Sequence, residues 1–167
     1  MEFRPVADVA TLLNFLTAEE WPFHVVTKPD PARIRNQYAQ GDYATAFWIV
    51  DGGVTVGLVR LMDLDNGTPL FDLRVATAAR GRGVGEAAVR WLTSHVFTGY
   101  DTNRIEATTR QDNHAMRRVL AKAGYVKEAH YRDAWPGQEG VHDAIGYAIL
   151  RRDWKAGTTT EVNWADA

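Results

Sequence analysis

Two hydrophobic periods alternate along this 167-residue chain, and their order restricts the folds open to it. Phe3 to Val6 is short and strand-like, whereas Val9, Leu12, Leu13 and Leu16 recur at helical spacing on one face. Pro22 and Pro29 interrupt the stretch from Glu19 to Pro29. Asp30-Pro31 then reads as an N-cap followed by proline at the first helical position, opening a helix around Ile34 and Tyr38. Ala46–Val50 and Val54–Leu61 flank Asp51-Gly52-Gly53, a hairpin signal, and Leu70–Ala76 is a further strand. Val84, Ala87, Ala88, Trp91 and Leu92 are helical again; Arg104–Thr109 is strand-like. Met116, Val119, Leu120 and Ala123 form a helical stripe closed by Gly124. Tyr125–Trp135 and His142–Leu150 bracket an expected turn at Pro136-Gly137. The order β-α-α-β-β-β-α-β-α-β-β mixes hairpins with strand–helix–strand units. It predicts an α+β domain around a mixed sheet, not a doubly wound one. One domain over residues 1–154 is expected, with 155–167 left as an unassigned tail.

Composition removes several functions. The 19 Lys+Arg against 21 Asp+Glu rule out a chain held to nucleic acid by bulk positive charge. The absence of cysteine excludes disulfides, a thiol nucleophile and thiolate metal ligation. His24, His95, His114, His130 and His142 show no i, i+4 pair with a third ligand, so no metal site is expected. No apolar run approaches the ~20 residues that span a bilayer, and the opening Met-Glu-Phe-Arg-Pro-Val does not read as a secretory signal. A cytoplasmic protein with no membrane partner is the expectation.

The most informative stretch is Arg80-Gly81-Arg82-Gly83-Val84-Gly85-Glu86, between a strand and a helix. Glycines there allow a tight turn, and the following helix start offers unpaired N–H groups and partial positive charge. The turn suits a phosphate or pyrophosphate. A plain structural turn with solvated arginines competes with this reading. So does a dinucleotide fingerprint, since Gly83-Val-Gly85-Glu-Ala-Ala88 fits G-x-G-x-x-A and Glu106 lies about 20 residues on. The fingerprint fails on context, because Ala76 to Arg82 separates its first glycine from the strand.

Arg80, Gly83 and Gly85 match the Arg/Gln-x-x-Gly-x-Gly/Ala loop of acyl-coenzyme A transferases. Asn113 stands eleven residues before Gly124-Tyr125, and Arg104–Ala107 and His142–Ala148 look like the strands around that helix. On these motifs the chain resembles the GNAT N-acetyltransferase superfamily, in its RimJ/RimL-like branch, over roughly Phe3 to Trp154. The resemblance implies a central sheet of about seven strands with a splayed parallel pair, flanked by about four helices. It implies acetyl-CoA as co-substrate. Leu73, Arg74 and Val75 would offer backbone to the pantetheine arm, Arg80, Gly81, Arg82, Gly83, Val84 and Gly85 would cradle the pyrophosphate, and Asn113 would contact the arm.

Acetyl transfer to an amine requires a proton acceptor for the amine and a donor for the developing oxyanion. The tyrosine and serine to which the family assigns the acid role are replaced here by Leu120 and Met116. The candidate bases are His130, Glu106 and Asp72. Strand alternation would set Val126, Glu128, His130 and Arg132 on one side. Glu20, Trp21, Phe23 and His24 would line the acceptor side, where carboxylates and ring faces suit an ammonium. The acceptor would be a protein N-terminus, a small amine or an amine antibiotic, with homodimer formation left open. The rival reading is a non-catalytic acyl-CoA-binding regulatory module, which Leu120 and Met116 keep open.

Overall fold

The computed structural model describes residues 1–165 and orders its elements as follows. The strands are β1 (Glu2–Pro5), β2 (Ala46–Asp51), β3 (Val54–Met62), β4 (Leu70–Val75), β5 (Arg104–Arg110), β6 (Val126–Gly137) and β7 (Gly140–Leu150). The helices are α1 (Val9–Thr17), α2 (Pro31–Ala39), α3 (Val84–Gly99), α4 (His114–Lys122) and α5 (Arg151–Ala156). Local sequence fixes three helix starts. Asp8 accepts from Thr11 N at 2.7 Å, Asp30 from Arg33 N at 2.8 Å and Asn113 Oδ1 from Met116 N at 3.2 Å. Such caps contribute about 1 kcal/mol each.

The seven strands form two antiparallel sheets, β1-β2-β3-β4 and β5-β7-β6, rather than the single mixed sheet expected. The only bridge described between them is the Glu106 N–H, which donates to Pro69 O at 2.9 Å near the N-terminal ends of β4 and β5. β4 and β5 are thus the edge strands that face each other across the gap between the two sheets. Within the first sheet Gly57 is required: a Cβ there would stand 2.7 Å from Arg74 O and 2.8 Å from Ile49 Cδ1.

Side chains alternate across β4. Phe71 and Leu73 join the core made by Val59, Leu61, Ile105, Ile145 and Ile149 with Leu92, Val96 and Leu120 of α3 and α4. Asp72 and Arg74 turn the other way, toward the layer where Leu12, Leu16 and Ile34 of α1 and α2 pack on Trp48 and Leu58. The sheet therefore carries polar groups on the α1–α2 side of its splayed edge.

Three further expectations are corrected. Among the described residues five α-helices are present instead of about four. The extra one is α5, from which buried Asp153 ties the chain onward by accepting from Thr160 N at 2.9 Å. At six residues it is too short to show a period. Pro136-Gly137 lies inside β6, and Gly137 pairs Gly140 across a Gln138-Glu139 turn. Register shifts at Lys127/Ala129 and Tyr131/Trp135 break the alternation of β6, so Glu128 and His130 do not share a side.

Candidate active site

The glycine turn leaves a set of amides bare at the start of α3. Gly81 and Gly83 have φ of +74° and +81°, conformations that side-chain-bearing residues rarely adopt, and nothing lies within 4 Å of where a Cβ would project. Gly83 begins α3, and the first amide to close a helical bond is Ala87 N, donating to Gly83 O at 3.0 Å. The N–H groups of Val84, Gly85 and Glu86 therefore have no partner within the helix. Arg80 Nε donates to Val75 O at 3.0 Å, and Thr77 N donates to Glu19 at 3.1 Å. Glu19 thus pins the end of α1 beside the turn.

A cleft of about 440 Å³ runs from this turn between the strands, lined by Val75, Arg80, Gly81, Gly83, Gly85, Arg118 and Lys122 among others. A second cavity of about 390 Å³ lies on the α1–α2 side, lined by Arg33, Tyr43, Arg60, Asp72, Arg74 and Trp135 among others. Five residues line both: Phe23, His24, Leu73, Asn113 and Met116. The two cavities therefore meet at these side chains.

At that meeting point His24 Nε2 lies 2.9 Å from Asp72 Oδ1, and Arg74 Nε donates to Asp72 Oδ2 at 3.2 Å. A carboxylate accepts only, so Nε2 carries the hydrogen and Nδ1 keeps a lone pair when the ring is neutral. Nδ1 is buried and has no protein partner. Burial pushes the Asp72 carboxyl up. The His24 hydrogen bond and the charges of Arg74, His24 and Arg60 outweigh this and hold it well below the usual carboxylate range. Asp72 is therefore ionised throughout the neutral range. His24 is held by its own N–H, which donates to Trp21 O at 3.0 Å; Trp21 is buried and donates through Nε1 to Leu16 O at 2.9 Å.

A family model for the acetyltransferase (GNAT) domain matches residues 1–126. The chain belongs to that family. It is an acyl-CoA-dependent acetyltransferase. Among curated relatives it is similar to YdaF of Bacillus subtilis, named for ribosomal N-acetyltransferase activity. The two are 28% identical over 72% of this chain and 67% of that one. An uncharacterised N-acetyltransferase of Bacillus licheniformis, p20, is 26% identical over 56% and 53%. Among solved structures, spermidine N-acetyltransferase from Vibrio cholerae in complex with CoA and spermine superposes with TM-score 0.78 at 16% identity, over 92% and 97% of the two chains. A GNAT-family acetyltransferase from Bacillus anthracis superposes with TM-score 0.76 at 18% identity, over 90% and 94%. These two share the fold.

The cradle fits the CoA that this fold binds: bare amides, open space at two glycines, and the cations Arg80, Arg118 and Lys122 along one cleft. Arg118 and Lys122 are absent from the sequence-based candidates; their i, i+4 spacing on a helix opened by Asn113 was the available signal. Leu73, Val75, Arg80, Gly81, Gly83, Val84, Gly85 and Asn113 line the cleft, whereas Arg82 points away to Asp51 at 3.4 Å. Arg74 lines the other cavity.

The candidate bases separate. Asp72 is in the site. Glu106 is paired with Arg104 at 2.9 Å and lines neither cavity. His130 is exposed, 2.7 Å from Asp143, and lines neither. The acceptor segment divides as well. Phe23 and His24 line both cavities and Trp21 the cleft, but Glu20 is exposed and paired with Lys28 at 2.6 Å. Leu120 is fully buried in the core, and Met116 contributes only a thioether. Among the described residues no group of three or more metal-ligating side chains occurs, and no helix is long and apolar enough to cross a membrane.

Proposed function

We propose that this acetyltransferase moves the acetyl group of acetyl-CoA to a primary amine by direct attack, with His24 as general base and Asp72 as the residue that positions it. The observation carrying this reading is the His24–Asp72 pair set where the two cavities meet. Acetyl-CoA supplies an activated thioester carbon, and the chain's own residues do the rest. The α3 amides with Arg80, Arg118 and Lys122 receive the phosphates, and β4 around Leu73 to Val75 flanks the pantetheine arm. The amine enters under α2, and its proton passes to His24 Nδ1. Asp72 fixes the ring and stabilises the imidazolium that forms, in the manner of a histidine–carboxylate pair. Arg74, 3.2 Å from Asp72, keeps the carboxylate ionised. Leu120 and Met116, at the α4 positions where the resembled family carries its acids, offer no proton to the leaving sulfur, which is a good leaving group unaided.

Acceptors in scope are a peptide N-terminus, a small amine and an amine antibiotic. Placement in the RimJ/RimL-like branch rests on Leu120 standing where other members carry tyrosine and on the likeness to YdaF. The test is thiol release from acetyl-CoA across a panel of primary amines, for the wild type and His24→Gln. Amine-dependent release that falls about 10²- to 10⁴-fold in the variant, with unchanged acetyl-CoA affinity, is expected. Undiminished release contradicts the assignment of His24, and acetyl-CoA binding without release for any amine contradicts catalysis.

A further inference from the structure

The cavity under α2 has a chemistry opposite to the one the sequence leads one to expect. Its charged lining is three arginines, Arg33, Arg60 and Arg74, against one carboxylate, Asp72. That carboxylate is already engaged by His24 and Arg74. Glu20, expected to draw a cation, pairs with Lys28, and its neighbour Glu19 accepts from Thr77 at the glycine turn. Hydrogen-bonding capacity has the same bias. Among the described residues six buried side-chain nitrogens have no partner, and four belong to residues lining this cavity: His24 Nδ1, Arg60 Nε, Arg74 Nη1 and Trp135 Nε1. Apart from the His24 lone pair these are N–H donors. Arg60 lies 5.1 Å over the Tyr43 ring, and its guanidinium's hydrogen bond goes to a thioether, Met62 Sδ at 3.3 Å. Half-buried Arg60 faces one carboxylate, Asp72, which His24 and Arg74 already engage, so its N–H donors are left under-matched until a further anion meets them.

Resting on the acetyl-transfer reading above, we infer that the acceptor is a small amine that also carries an anionic group, a carboxylate or a phosphate, received by Arg60 with Arg33 at the exposed mouth. The amine end lies at His24 and the anionic end at Arg60. A cavity of about 390 Å³ is the size of a small-ligand site. A polycation finds no free carboxylate in the lining. The Vibrio cholerae neighbour whose structure holds spermine therefore shares the fold with this chain and not the acceptor class inferred here.

The experiment uses the whole chain and three-carbon amines matched in length. These are β-alanine, its amide and 1,3-diaminopropane, with 2-aminoethyl phosphate as the phosphate arm. Acetyl-CoA thiol release gives kcat/KM, and calorimetric titration of each amine into the CoA-bound protein gives binding without turnover. An anionic amine should exceed the neutral amide by about 10- to 100-fold, the span of one charge-assisted contact, with the diamine lowest. The ratio between β-alanine and 2-aminoethyl phosphate identifies which anion the site takes. Arg60→Gln should collapse the anionic-over-neutral ratio, Arg33→Gln should reduce it several-fold, and acetyl-CoA affinity should hold in both. Because Arg33 is exposed, its variant tests the idea even if the Arg60 variant folds poorly. Equal rates for all three charge types, or a preference for the diamine, overturn the inference and leave amine acetylation standing. Release with no amine overturns both.

Discussion

Asp72→Asn changes one atom and should separate the two roles of the His24–Asp72 pair. The native carboxylate accepts from His24 at 2.9 Å and from Arg74 at 3.2 Å. An amide has one oxygen, so it keeps one of these bonds and turns an N–H toward the other donor. Hydrogen bonds to charged groups contribute about 1.5–3 kcal/mol each, so losing one and facing two donors together costs about 2–3 kcal/mol. For a domain of this size that lowers Tm by about 4–12 °C. The sign with pH follows from the lowered folded pKa of Asp72. Its stabilisation is complete above the unfolded value near ~4 and is lost as pH falls toward the lower folded value. The Tm gap between wild type and variant is therefore widest near neutrality and closes in acid. Kinetically, Asn relieves its donor conflict by inverting the imidazole tautomer, which places hydrogen on Nδ1 and removes the base. At pH 7.5, well below the variant's Tm, kcat/KM for the acceptor should fall about 10²- to 10⁴-fold with the acetyl-CoA KM unchanged. At pH 9.5 more of the amine is already neutral, so the deficit should shrink. A variant with lowered Tm but kcat/KM within about threefold of wild type at pH 7.5 would refute the argument and leave the pair a structural bond.

Three other outcomes are expected. Gly83→Ala forces a side chain into φ of +81° in open space, a cost of about 1–2 kcal/mol without crowding, and calorimetry should show weakened CoA binding; Gly85→Ala meets only Val119 Cγ2 at 3.5 Å and should bind CoA normally. Lys122→Ala should raise the acetyl-CoA KM severalfold at low salt, with less effect at high salt and no change in kcat, as steady-state kinetics would show. His130→Ala removes a partner of half-buried Asp143 and should leave kcat within about twofold; a large loss would return His130 to the base shortlist.

What the sequence reveals follows the range of the interactions involved. The glycine cradle is legible because seven consecutive residues between a strand and a helix build it. The helix caps at Asp8, Asp30 and Asn113 are equally local. His24 and Asp72 are both visible as candidates, but their pairing joins an irregular segment to a strand 48 positions away and depends on which face of β4 turns toward α2. The arginine lining is hidden for the same reason: Arg60 belongs to the cavity only through the register that sets it opposite Asp72. His130 is a candidate through its position after Gly124 in the resemblance, and its surroundings are not legible, because β6 shifts register on both sides of it and pairs it with Asp143. The division into two sheets is a matter of splay, which no residue pattern encodes.

The central claim is that acetyl transfer takes place where the two cavities meet, at His24. A crystal structure with a bisubstrate ligand, CoA joined through its acetyl carbon to an amine, tests it most directly. The pyrophosphate should lie on the α3 amides and the joined nitrogen within hydrogen-bond reach of His24 Nδ1, beside Asn113 and Met116. A joined nitrogen lying away from His24, with Glu106 or His130 as its nearest titratable group, would contradict it.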